Sequence, residues 1–257
     1  MKVVLLAGGL GTRMREETEF RPKPMVEVGG KPVLWHIMKI FAAHGHTDFI
    51  ICAGYKGEQI KNYFYNYAAM NLDFTLTLGD NDSATFHGSH DEFDWRVTVA
   101  DTGQITPTGG RIKRVERFID GDDFFCTYGD GIADVDISAL LSTHRSHQSL
   151  GTVTVTNAPS RFGVPKVGSS GEVLSFREKP ETSDPVSIGF FVFNNAILGR
   201  INDTSILETE VLVNLVGDGN LQTYRHQGFW QPMDTLRELS HLNDLWTGNE
   251  APWKIWG

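Results

Sequence analysis

An α/β protein with a Rossmann-like, doubly wound mixed sheet and a β-rich second half is predicted by three observations. The runs KVVLLA at 2–7 and DFIICA at 48–53 are apolar without alternation, as strands buried on both faces are. Between them Val33, Leu34, Ile37, Met38 and Phe41 recur at helical spacing, giving the order strand, crossover helix, parallel strand. Gly8, Gly9 and Gly11 follow the first run directly, so the chain turns at the carboxyl end of a strand, where open α/β sheets bind ligands. The 257 residues include 27 Gly and 10 Pro, with 40% hydrophobic and 21% charged side chains, a composition that excludes fibrous and disordered chains. With no repeat, low-complexity tract or linker, one domain over 1–257 is expected.

Each element has its own signal. Lys2–Ala7 is the first strand. Pro32–Gly45 is a helix behind an early proline, whose fixed φ suits a first turn. Asp48–Ala53 reads as a buried strand, Lys56–Tyr67 as a helix, and Phe74–Leu78 and Trp95–Ala100 as further strands. Thr108–Phe118 is a helix, and the strand Asp123–Tyr128 runs into Gly129-Asp130-Gly131. After a helix over Asp136–His147 the pattern turns mostly to strands: Gly151–Thr156, Val164–Val167, Val173–Arg177 and Gly189–Phe193. A helix at Glu208–Val216, a strand at Leu221–His226 and a helix at Thr235–Trp246 finish the chain. The aromatic end, Trp246 to Trp253 and Trp256, is assigned to packing or a subunit contact.

Charge and cysteine usage narrow the function. Lys and Arg number 23 against 32 Asp and Glu, a net −9, so the chain has no basic stripe for duplex nucleic acid. A phosphorylated small molecule is compatible, provided cations and backbone N–H groups converge locally. Cys52 and Cys126 sit in apolar runs without zinc spacing and are expected to be reduced and buried. No apolar run reaches the length of about 18 residues that a membrane span needs, and glycines arrive too early for a signal peptide. A cytoplasmic protein without membrane or nucleic-acid partners is expected. The nine histidines show no metal-binding spacing.

Two segments carry chemistry. The loop in Leu5–Arg13, LLAGGLGTR, lets backbone N–H groups approach a phosphate chain, or serves packing at a βα turn. It is not a dinucleotide fingerprint, because the position that needs a third glycine is Met14. A P-loop is also excluded, since Gly30-Lys31 is followed by Pro32. In Pro22-Lys23-Pro24 two prolines stiffen the backbone around one ammonium, which distinguishes Lys23 from an ordinary flanked surface lysine.

Gly8-Gly9-x-Gly11-Thr12-Arg13 followed by Pro22-Lys23-Pro24 resembles the signature of the sugar-1-phosphate nucleotidylyltransferases. The likeness extends through MVEVGGKPVLWHIMKIF, DFIICAGYKGEQIKNYF, TGGRIKRV, TYGDGIADVDI, SFREKP and GFWQPMDTLRE, which together look like the glucose-1-phosphate cytidylyltransferases over nearly the whole length. It implies a nucleotide-binding half at about 1–136 and an acceptor and metal half at about 137–257. The implied reaction joins CTP and a sugar 1-phosphate, with glucose 1-phosphate the first expectation, into a CDP-sugar and pyrophosphate, in a homo-oligomer. By resemblance, Leu6, Ala7, Gly8, Gly9, Gly11 and Thr12 hold the triphosphate, Arg13 steadies the leaving pyrophosphate, and Lys23 compensates charge at the α-phosphate. Thr108, Gly109, Gly110 and Arg111 lie against the base and phosphates. Tyr128, Gly129, Gly163, Glu178, Lys179, Ile188 and Gly189 belong to the acceptor side, with Arg161-Phe162-Gly163 a neighbouring element of it. Asp130 and Asp234 read as ligands of a Mg²⁺ cofactor, although alone a D-G turn cap and a helix N-cap would explain them equally well.

Two departures fall on the acceptor side. Where the family carries Asn-Gly before GFFVF, this chain has Ser187-Ile188, and a W-x-x-E-P-L segment reads Leu207-Glu208-Thr209-Glu210-Val211-Leu212, keeping Glu210. Three readings follow: transfer to glucose 1-phosphate, the same chemistry on another phosphorylated acceptor, or an inactive nucleotide-sugar-binding relative. The last is disfavoured by the presence of Lys23, Asp130 and Asp234.

Overall fold

A computed structural model describes residues 1–79, 84–158, 163–178 and 184–256, with only the backbone of Arg13. Seven strands form the central sheet. In chain order they are β1 (Lys2–Ala7), β2 (Asp48–Ala53), β3 (Arg96–Asp101), β4 (Asp123–Tyr128), β5 (Gly151–Thr156), β6 (Val186–Asn194) and β7 (Leu221–Arg225). Across the sheet they lie in the order β7-β5-β6-β4-β1-β2-β3. β6 runs antiparallel to both its neighbours, β5 and β4, and all other pairs are parallel. The sheet is therefore mixed, and both halves of the chain contribute strands to it.

The unalternating runs are explained by two-sided burial. Val3, Leu5 and Ala7 of β1 enter one core cluster with Ile37 and Phe41, while Val4 and Leu6 enter another with Ile50 and Ile112. Cys52 and Cys126 are free and buried in the second cluster; burial raises the Cys52 thiol pKa to about 12, so it stays protonated. The helix α1 (Val33–Ala43) is buried on all sides from Val33 to Phe41. Its outer face is covered by the chain end: the His36 ring lies 4.7 Å from that of Trp246 and 6.2 Å from that of Trp253. The aromatic tail is thus used for packing within the chain.

Several elements differ from expectation. Phe74–Leu78 is not a sheet strand: Asp73–Thr75 pairs with Thr85–His87 in a separate exposed hairpin, inserted between the helices α2 (Gly57–Tyr65) and Tyr67–Asn71 and strand β3. Its Thr- and Asp-bearing sequence offers too little apolar side chain for a doubly buried strand. The segment Thr108–Phe118 splits into the helix α3 (Thr108–Val115) and a 3₁₀ turn, and the segment from Glu208 opens with a π-turn at Leu207–Val211 before an α-helix at Leu212–Gly217. No helix among the described residues is long and apolar enough to cross a membrane.

Candidate active site

Two clefts open at the carboxyl ends of β1 and β4. The first, of about 330 Å³, is lined by Leu6, Ala7, Gly8, Gly9, Gly11 and Thr12, by Lys23 and Pro24, by Thr106 to Thr108 with Arg111, and by Tyr128, Gly129 and Asp130. The second, of about 380 Å³, runs from Thr127 and Tyr128 to Ser187, Ile188 and Gly189, and closes on Trp230, Pro232 and Asp234. Tyr128 and Asp130 line both, so the clefts share a wall.

The glycine loop owes its shape to a left-handed Gly11, at φ 62°, which opens the 3₁₀ turn Thr12–Met14. At its other end the loop is tied down by Arg111. The Arg111 guanidinium is buried and donates to the carbonyl oxygens of Gly8 at 3.0 Å, Gly103 at 2.7 Å and Gln104 at 3.2 Å, and to the Thr102 hydroxyl at 2.7 Å. These donors are spent on backbone carbonyls and one hydroxyl, so Arg111 braces the loop while it lines the same cleft. Gly109 and Gly110, unlike Arg111 and Thr108, do not line the cleft. They let α3 press on the 203–205 segment, where a Cβ on Gly110 would sit 2.2 Å from the Asp203 carbonyl oxygen.

Lys23 is held as its prolines suggest. Pro22 is extended and Lys23–Met25 forms a 3₁₀ turn, closed by the Met25 and Val26 N–H groups donating to the Pro22 and Lys23 carbonyls. The ammonium donates to Asp130 Oδ2 and to Asp234 Oδ1, each at 2.6 Å, with the Lys23 and Asp234 side chains only 9% and 12% exposed. The two carboxylates, far apart in sequence, meet because Trp230–Pro232 pairs antiparallel with Gly131–Ala133, and the Met233 N–H donates to the Asp130 carbonyl at 2.9 Å. Asp234 is not the cap of the final helix α4 (Leu236–Thr247). Thr235 caps it, its hydroxyl accepting from the Glu238 N–H, while Glu238 accepts from the Asp234 N–H. The Asp234 carboxylate is left to face Lys23.

One residue at the site escaped the sequence reading. Glu208 accepts from the Thr108 hydroxyl at 2.7 Å and from the Tyr128 hydroxyl, joining α3 to the end of β4 at the shared wall. Burial, and then this carboxylate, push the Tyr128 phenol well above its usual pKa, so it remains a donor. Glu210, the carboxylate singled out from sequence, turns back to accept from the Ile206 N–H at 3.0 Å. The π-turn decides between the two, and its geometry is the only signal that could have separated them.

On the acceptor side Gly189 is left-handed at φ 81°, and a Cβ there would meet the Tyr128 ring at 2.3 Å. Ile188 borders the second cleft but is 4% exposed and packs in the core cluster that holds Phe190 and Val192, so its bulk is absorbed by the core. Gly163 and Glu178 come together on the hairpin of Val164–Val167 with Val173–Arg177, yet neither lines the cleft. Lys179, Arg161 and Phe162 lie outside the described residues, as does the Arg13 side chain.

A glycine loop after the first strand, facing a buried lysine and two carboxylates across a pair of adjoining clefts, defines an α/β protein of phosphorylated ligands. The chain matches the family model described as "Nucleotidyl transferase" over residues 2–243. It is 48% identical to a glucose-1-phosphate cytidylyltransferase of Salmonella typhi, and 38% identical to a probable glucose-1-phosphate cytidylyltransferase of Bacillus subtilis, in both cases over all of each chain. Among solved structures, a putative glucose-1-phosphate thymidylyltransferase from Bacillus anthracis, crystallised with a sucrose, shares the fold with a TM-score of 0.70 at 19% identity, covering 100% of this chain and 97% of that one. The chain belongs to the nucleotidyl transferase family.

Proposed function

We propose that this protein transfers a cytidylyl group from CTP to glucose 1-phosphate, releasing pyrophosphate and CDP-glucose. The observation that carries the reading is Lys23, an ammonium fixed at the wall common to two clefts, in a chain 48% identical over its full length to a glucose-1-phosphate cytidylyltransferase. CTP takes the cleft of the glycine loop, where the backbone of Leu6 to Gly11 and the Thr12 side chain face its phosphates. Arg13 steadies the pyrophosphate end. The sugar phosphate takes the second cleft, with Gly189 leaving room beside Tyr128; by resemblance, Lys179 meets its phosphate and Glu178 a ring hydroxyl.

A phosphate oxygen of glucose 1-phosphate attacks the α-phosphorus in line; the new P–O bond forms as the bond to the bridging oxygen of pyrophosphate breaks. No covalent nucleophile is needed. Lys23 stabilises the charge that gathers on the transferring group, which is where a fixed cation has most effect. Asp130 and Asp234 fit a Mg²⁺ ion, since both already converge on one cation, and Mg²⁺ typically takes one or two carboxylates together with substrate phosphates. Once bound, the ion supplies charge neutralisation on the triphosphate.

A homo-oligomer in the cytoplasm completes the proposal. Support for oligomers comes from a groove of about 890 Å³ beside the edge strand β3, lined by Phe64, Tyr65, Phe93 and Trp95, with Tyr65 91% and Phe93 80% exposed. The test of the function is a panel of nucleoside triphosphates against sugar 1-phosphates, read as pyrophosphate release. CTP with glucose 1-phosphate is expected to be fastest; release with another base, or none, overturns the reading.

A further inference from the structure

We propose that Lys23 keeps the metal site closed until a nucleotide arrives, so that the divalent cation enters together with the triphosphate. The inference rests on the reading of Asp130 and Asp234 as metal ligands. The Lys23 ammonium stands 2.6 Å from an oxygen of each, which is where an ion bound by both would have to lie. Ammonium and divalent ion exclude one another there by size and by charge.

The protein side of the site is also incomplete. Among the described residues no group of three or more His, Cys, Asp or Glu side chains is placed to hold a metal. Two carboxylates alone leave Mg²⁺ most of its shell to fill from water or phosphate oxygens. Lys23 is positioned to make the exchange. It lines the glycine-loop cleft while its ammonium sits at the carboxylates, and its backbone is pinned in the turn between Pro22 and Pro24. The flexible four-carbon stem alone therefore carries the charge from the carboxylates to a phosphate. A triphosphate draws the ammonium to itself, leaves two negative charges facing each other, and brings oxygens that complete the ion's shell. No bond is made or broken; one cation replaces another.

The test is Mn²⁺ binding by the nucleotide-free full chain, counted by the electron paramagnetic resonance of the unbound ion. Lys23→Met, and Lys23→Gln as a second variant, should bind Mn²⁺ at least about tenfold more tightly than the wild type, because a positive charge has left the site. Adding Asp234→Asn to Lys23→Met should abolish that gain. With α,β-methylene-CTP, which cannot transfer, the wild type should take up Mn²⁺ and approach the variants. Equal or weaker binding by both Lys23 variants, folded by circular dichroism, overturns the gating role and leaves the proposed function intact. Mn²⁺ uptake with the nucleotide that Asp234→Asn does not alter overturns the metal-ligand reading and the gating role together.

Discussion

In the proposed reaction Lys23 contributes through the position of one charge. In Lys23→Ala the fold should persist, since Asp130 is partly exposed and water can reach the carboxylates. Turnover should fall by about 10²- to 10³-fold, the usual loss when a group that stabilises transition-state charge is removed. Turnover within a few-fold of wild type, with an unchanged circular dichroism spectrum, would take Lys23 out of the chemistry. Ile188 is predicted to behave in the opposite way. Buried at 4% exposure among core side chains, it should cost about 2–5 kcal/mol of stability when cut to Ala, with kcat/KM for glucose 1-phosphate changed little. A rise of tenfold or more in kcat/KM, measured beside a urea melt, would put the side chain in the acceptor cleft after all.

At the scale of elements, the clearest consequence is in α1. His36 donates from Nε2 to the Val28 carbonyl at 2.8 Å and accepts at Nδ1 from the Trp253 indole at 3.3 Å, which fixes it as a neutral ring. Burial lowers its pKa to about 4. The unfolded chain, with its histidine near 6.5, binds more protons than the native one as pH falls from about 6.5 to 4, so native stability declines across that window, by about 3 kcal/mol from this residue. Melting temperatures taken across that range should fall, and fall less steeply in His36→Gln; equal slopes would refute the assignment. The strands β1, β2 and β4 were legible because doubly buried strands write themselves as unbroken apolar runs. The cover over α1 was not, since nothing local links Trp246 and Trp253 to a helix two hundred residues away. The site shows the same division. Pro22-Lys23-Pro24 marks its lysine by stiffness, whereas Arg111, Gly109 and Gly110 lie in a motif whose residues point partly at the cleft and partly at the scaffold. Which of Glu208 and Glu210 faces Tyr128 depends on a π-turn that residue spacing does not encode.

In the molecule as a whole, the first and second halves of the chain share one sheet and meet at the ion pairs of Lys23 with Asp130 and Asp234. Asp130 comes from one half and Asp234 from the other, so the site exists only when both are folded together. If they act on one ion, Asp130→Asn and Asp234→Asn should each abolish most of the activity, and the double variant should be little worse than either, because groups that act as a unit are not additive. Multiplicative losses in kcat would separate them. The exposed groove beside β3 predicts a mass in light scattering that is a multiple of 28.6 kDa, and a mass of one chain at micromolar concentration would contradict it. The proposed chemistry is direct transfer of a cytidylyl group to an intact sugar phosphate. It is tested by giving the protein CTP and glucose 1-phosphate labelled with ¹⁸O in its three non-bridging phosphate oxygens, then weighing the products by mass spectrometry. Direct transfer gives CDP-glucose that retains all of the label and pyrophosphate that has none; labelled pyrophosphate, or no CDP-glucose at all, would rule it out.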